Sequence, residues 1–95
     1  MRIGGGLTYH ATERAVARDG HVVHLRPMES RAFGVVLARQ PAHTRPNQLH
    51  EALYGDQARC RSLLSVHICL LNKKLAALGV RIVGHPGRGY LLEAA

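Results

Sequence analysis

Aromatic residues are scarce in this chain of 95 residues: one Phe, three Tyr and no Trp. Any core must therefore be aliphatic, built from Leu, Val, Ile and Ala. Acidic residues are few as well, six against thirteen Lys and Arg, and they are scattered at Glu13, Asp19, Glu29, Glu51, Asp56 and Glu93. Glu29, near the start of the first expected helix, is explained by the helix dipole. The GxSxG, P-loop and HExxH motifs are all missing, so an enzyme is not expected. Cysteine is limited to Cys60 and Cys69, nine apart and without CxxC spacing. A disulfide is not expected in a reducing compartment, and zinc would need more ligands at tighter spacing. Of the seven histidines, His21 and His24 fall three apart on an expected strand and so point to opposite faces. His43, His50 and His85 belong to separate elements, which predicts no metal site and no cofactor. No run approaches the ~20 apolar residues of a membrane span. The opening Met1 to Gly6 is too short and too glycine-rich for a signal peptide. The expectation is a cytoplasmic protein with no membrane partner.

What is present is a chain 46% apolar, enough to fold, and of a length that suits one domain spanning residues 1–95. Its net charge is +7 and its pI about 10.5. A domain above roughly pI 9 carries the electrostatic footprint of a nucleic-acid binder. A merely soluble basic protein is the bland alternative. A membrane-surface role is disfavoured, because no strongly cationic helix with an aromatic face occurs.

The first part of the chain, residues 1–25, reads as strands. Arg14 to Arg18 and His21 to Leu25 are β-prone runs joined by Asp19-Gly20, the pair that a type I′ hairpin turn favours because both central residues need positive φ. Ile3 to His10 adds one or two short strands, with Gly4-Gly5-Gly6 as a loose connection. At Pro27 the period changes. Pro27 suits a first helical turn, and Met28, Ala32-Phe33 and Val36-Leu37 follow at helical spacing, predicting a helix over 27–40 that Pro41 stops. Pro46 opens a second helix over 46–54, with Leu49, Ala52 and Leu53 inward and Gly55 past its end. A polar loop, Asp56 to Arg61, leads to a third over 62–78, ended by Gly79. Residues 80–92 form two strands about Gly84 to Gly89.

This order and these residues resemble the DNA-binding domain of the OmpR/PhoB response regulators, from about Leu7 to Leu92. Asp19-Gly20 before Val22 to Leu25 matches the family's hairpin. Leu25-Arg-Pro-Met-Glu29 matches its Leu-Thr-Pro-x-Glu helix opening. Gln48 to Gly55 matches the second helix, where Trp-Gly usually closes. Val66-His-Ile68 with Leu71, Lys74 and Leu75 matches the recognition helix. Gly87-x-Gly89-Tyr90 matches the Gly-x-Gly-Tyr of the wing. The resemblance implies an α+β winged helix-turn-helix: an N-terminal antiparallel sheet, three helices and a C-terminal hairpin wing. It implies sequence-specific binding of double-stranded DNA by a transcriptional regulator. The third helix then lies in the major groove, and the wing reaches the adjacent minor groove with Arg88 at its glycine-rich tip. The family's receiver domain has no counterpart within these 95 residues; if they are the complete chain, regulation by its own phosphorylation is not expected. A monomer in free solution is expected, pairing head to tail on DNA, with RNA polymerase or another regulator as further partners.

On a helical wheel at ~100° per residue, Leu64, Leu71, Leu75 and Leu78 fall within roughly 80° of Ile68 and form the core stripe. Ser62, Leu63, Val66, Cys69, Leu70, Lys73 and Ala77 face outward, while His67 and Lys74 flank the stripe. The family places arginines on that face; this chain has Cys69, Leu70 and Asn72 there, and Pro86 in the wing where an arginine is common. Arginine is the commonest reader of guanine. Two readings stay open. In one, Leu63, Val66 and Leu70 touch thymine methyls while Arg45, Arg61, Lys73 and Arg88 hold phosphates, with Ser62, His67 and Lys74 beside them. In the other, the same apolar strip is a surface for another transcription component.

Overall fold

The computed structural model describes residues 2–3, 6–55 and 61–94. Among them, β1 (Arg2–Ile3), β2 (Leu7–His10), β3 (Ala15–Arg18) and β4 (His21–His24) precede helices α1 (Pro27–Arg39), α2 (Pro46–Tyr54) and α3 (Arg61–Leu75); β5 (Val80–His85) and β6 (Gly89–Ala94) close the chain. The first four strands form one antiparallel sheet in sequence order, and β5 and β6 form a separate hairpin. This is the expected winged helix-turn-helix. Asp19 and Gly20 turn the β3–β4 hairpin with φ of 51° and 83°, as a type I′ turn requires.

Helix boundaries follow local chemistry. α1 and α2 both open on Arg-Pro, and in each the residue three positions on folds back to the chain. The Arg26 N–H donates to Glu29 Oε1 at 2.8 Å, and the Arg45 N–H to Gln48 Oε1 at 3.0 Å. Arginine has no acceptor to return the bond, so each start is half a capping box. α1 stops at Arg39, one residue short of expectation, and the Gln40 side chain turns away to accept the Leu92 N–H at 2.7 Å. α3 begins at Arg61 rather than Ser62. It tightens to a 3-10 turn over Ala76–Leu78 instead of running helical to Leu78, because Gly79 takes the left-handed cap at φ 72°. The freed Leu78 carbonyl accepts from Arg18 Nη1 of β3 at 2.9 Å, which ties the sheet to the helix end.

The core is aliphatic apart from Phe33 and Tyr9. Leu49, Leu71, Leu75, Val16 and Val36 are fully buried around Phe33, and the Tyr9 ring meets it edge-on at 5.0 Å. The expected stripe of α3 lies inside: Leu64, Ile68, Leu71, Leu75 and Leu78 are all buried. The hairpin runs two residues beyond the expected Leu92, since Val80 and Arg81 pair with Ala94 and Glu93.

Candidate nucleic-acid interface

Besides the Gln40–Leu92 bond, two contacts that bear on what α3 can present fix the hairpin to the rest of the chain. Thr44, fully buried, exchanges backbone hydrogen bonds with Tyr90 at 3.0 and 2.7 Å. Gly89 makes this docking possible. It holds φ 125°, and a Cβ there would sit 2.4 Å from the Thr44 carbonyl oxygen. The missing side chain of Gly89 thus lets the hairpin approach the chain's own backbone. The second fixing is Asn72. Its Nδ2 donates to the Ile82 carbonyl at 2.9 Å, and its Oδ1 accepts the Ile82 N–H at 2.7 Å. Asn72 sits at the edge of the core stripe on the wheel, yet its type alone did not reveal that its amide replaces a strand neighbour for β5.

Three adjoining clefts share Tyr90 and form one concave surface. The first, of about 460 Å³, lies between the start of α2 and the turn of the hairpin and brings Arg45 and Arg88 to a common wall. The second passes Asn47, His50 and Ser65. The third follows α3 past Ser65 and Cys69 to Lys73. Arg45, Arg88, Lys73 and Cys69 are all exposed. Positive charge therefore stands at both ends of the surface, and among the described residues no acid lines it. Val66 and Leu70 are exposed by 50% and 42%.

Two of the expected contact residues are engaged internally. Lys74 Nζ lies 2.6 Å from Glu29 Oε1, so its charge is spent on α1 rather than presented outward. Glu29 is correspondingly more than a dipole partner: it is buried, bonded to the Arg26 N–H and paired with Lys74. Burial alone would raise its pKa. The hydrogen bonds from Lys74 and the Arg26 N–H, with the charges of both residues, outweigh burial and hold the carboxyl below its ordinary 4.5. His67 stacks on Tyr54 with ring centres 5.8 Å apart, and its Nδ1 hydrogen-bonds the Tyr54 hydroxyl. The side chains of Arg61, Ser62 and Leu63 lie outside the described residues. Among the described residues, no group of three His, Cys, Asp or Glu is placed to hold a metal ion, and no helix is long and apolar enough to cross a membrane.

No protein-family model and no curated protein matches the chain. Solved structures do. The C-terminal domain of the nisin resistance regulator NsrR, a lantibiotic response regulator, is 27% identical with a TM-score of 0.80, covering 95% of this chain and 93% of that one. The DNA-binding domain of Escherichia coli CadC is 18% identical with a TM-score of 0.79, over 96% of this chain and 89% of that one. The DNA-binding domain of the response regulator AdeR, solved in complex with an intercistronic region, is 16% identical with a TM-score of 0.79, over 99% and 100%.

Proposed function

We propose that this chain, whose fold is the winged helix-turn-helix of OmpR/PhoB-type effector domains, binds double-stranded DNA sequence-specifically as a transcriptional regulator. The observation that carries the reading is the continuous concave surface from Arg88 and Arg45 at the hairpin to Lys73 on α3. α3 enters the major groove, and the β5–β6 turn brings Arg88 to the adjacent minor groove. Arg45 stands at the start of α2, where free backbone N–H groups and the helix dipole already favour an anion, so a phosphate there meets two reinforcing sources of positive potential. The chain acts as a monomer in free solution and pairs head to tail on DNA, with no catalytic part. RNA polymerase or another regulator is its further partner. The structures of NsrR, CadC and AdeR domains support the reading by fold, and the last of them was solved on DNA.

The test is selection of bound sequences from random duplex DNA, repeated with Lys73→Ala and Arg88→Ala. The wild type should enrich a defined sequence. Phosphate contacts carry no sequence information, so each variant should bind the same motif more weakly across all sequences. Failure of the wild type to enrich any duplex at low salt would overturn the proposal.

A further inference from the structure

Subtraction shows what α3 can offer a base pair. Of its polar side chains, His67 is bonded to Tyr54, Asn72 has both amide atoms on the Ile82 backbone, and Lys74 is paired with Glu29. A carboxamide is the usual bidentate reader of adenine, and Arg or Lys of guanine; the Asn72 carboxamide is occupied, from Leu64 onward α3 carries no arginine, and Lys73 is the exposed lysine of that stretch. The outward face of the described residues retains Ser65, Cys69 and Lys73, with Val66 and Leu70 as its exposed large apolar side chains.

Resting on the DNA-binding reading above, we propose that Val66 and Leu70 read thymine C5-methyl groups in the major groove, so that two positions of the target site are set by thymine. The two residues are four apart, on one face of the helix and ~6 Å apart along its axis. That separation is close to two base-pair steps of ~3.4 Å, which places one methyl against each side chain. Apolar contact is the one form of major-groove recognition that needs no hydrogen-bonding side chain, and the thymine methyl is the one apolar group a base pair shows there. Lys73, three residues beyond Leu70 and exposed, supplies the phosphate anchor that holds the helix in register. The surface lined by Arg45, Arg88 and Lys73 runs along the same helix, past Ser65 and Cys69, and makes duplex DNA the complementary occupant of this apolar pair.

The experiment alters only the DNA. In the tightest selected duplex, each thymine is replaced in turn by deoxyuridine, which keeps every hydrogen-bonding group and lacks the methyl. Burial of one methyl predicts about a 4-fold loss of affinity at one position. Loss at two positions about two steps apart should reach about 15-fold in the doubly replaced duplex. In Val66→Ala/Leu70→Ala the ratio between thymine and deoxyuridine duplexes should fall toward one, with an unchanged thermal midpoint because both positions are exposed. Full tolerance of deoxyuridine at every position, with specific binding retained, overturns this inference and leaves the DNA reading standing; the apolar pair is then a protein-docking surface. Absence of specific duplex binding by the wild type overturns the DNA reading itself.

Discussion

Glu29 shows how one side chain can serve two elements. Its carboxylate takes the Arg26 N–H that opens α1 and the Lys74 ammonium from α3, and it does so while almost wholly out of water, with 3% of the side chain exposed. A charge in that position is tolerated only because both partners are in place. Its pKa is depressed in the folded state, so its contribution to stability is complete above the ordinary value of 4.5 and is lost as pH falls through the lower folded value. Glu29→Gln keeps the shape and the cap acceptor but removes the charge. It should cost ~1–2 kcal/mol near neutral pH, the difference between a charge-assisted and a neutral hydrogen bond. It should also flatten the acid limb of the stability curve. Denaturant unfolding from pH 7 down to about pH 3, wild type beside variant, measures both effects. Parallel curves with the same acid limb would show that Glu29 is not the titrating group.

In the hairpin β5–β6 one of the docking contacts rests on a single missing side chain. Gly87 and Gly89 both hold positive φ, 76° and 125°, but a Cβ at Gly87 would meet nothing within 4 Å, while one at Gly89 would strike the Thr44 carbonyl. Gly87→Ala should therefore cost only backbone strain, ~1–2 kcal/mol. Gly89→Ala adds the loss of the two Thr44–Tyr90 hydrogen bonds at ~1 kcal/mol each, ~3–4 kcal/mol in all. Thermal unfolding of the two variants side by side checks the difference, and equal effects would mean that the Thr44 docking contributes nothing. The same hairpin shows what could be read from sequence. Its strands, glycines and turn were legible, because alternation and turn residues are local. So were the three helices, though not all of their ends, and the buried face of α3, since a 3.6-residue period is local too. Thr44 against Gly89, Asn72 against Ile82 and Lys74 against Glu29 were not, because each joins residues far apart in sequence whose types fit many other partners. The exposed face of α3 was legible as a face, but which of its polar groups remained available depended on those distant pairings.

At the scale of the whole molecule the relevant quantity is the net charge of +7. Arg45, Lys73 and Arg88 line the proposed surface, and each phosphate they neutralise releases condensed counterions. Log affinity should then fall linearly with log salt, with a slope of about −0.9 per phosphate. Three such contacts give a slope near −2.7, or about a 40-fold loss between ~50 and ~200 mM salt. The adjacent lysines of α3 should behave differently although they carry the same charge. Lys73 is exposed on the cleft, so Lys73→Ala should reduce the slope by about one unit and leave the thermal midpoint unchanged. Lys74 is bound to a buried carboxylate, so Lys74→Ala strands that charge and should lower the thermal midpoint with little effect on the slope. Titration of a labelled duplex at four salt concentrations, with a melting curve for each variant, separates the two. A slope that drops for Lys74→Ala as much as for Lys73→Ala would mean that the lysine leaves Glu29 to meet a phosphate, and the division of charge between fold and surface would then be wrong.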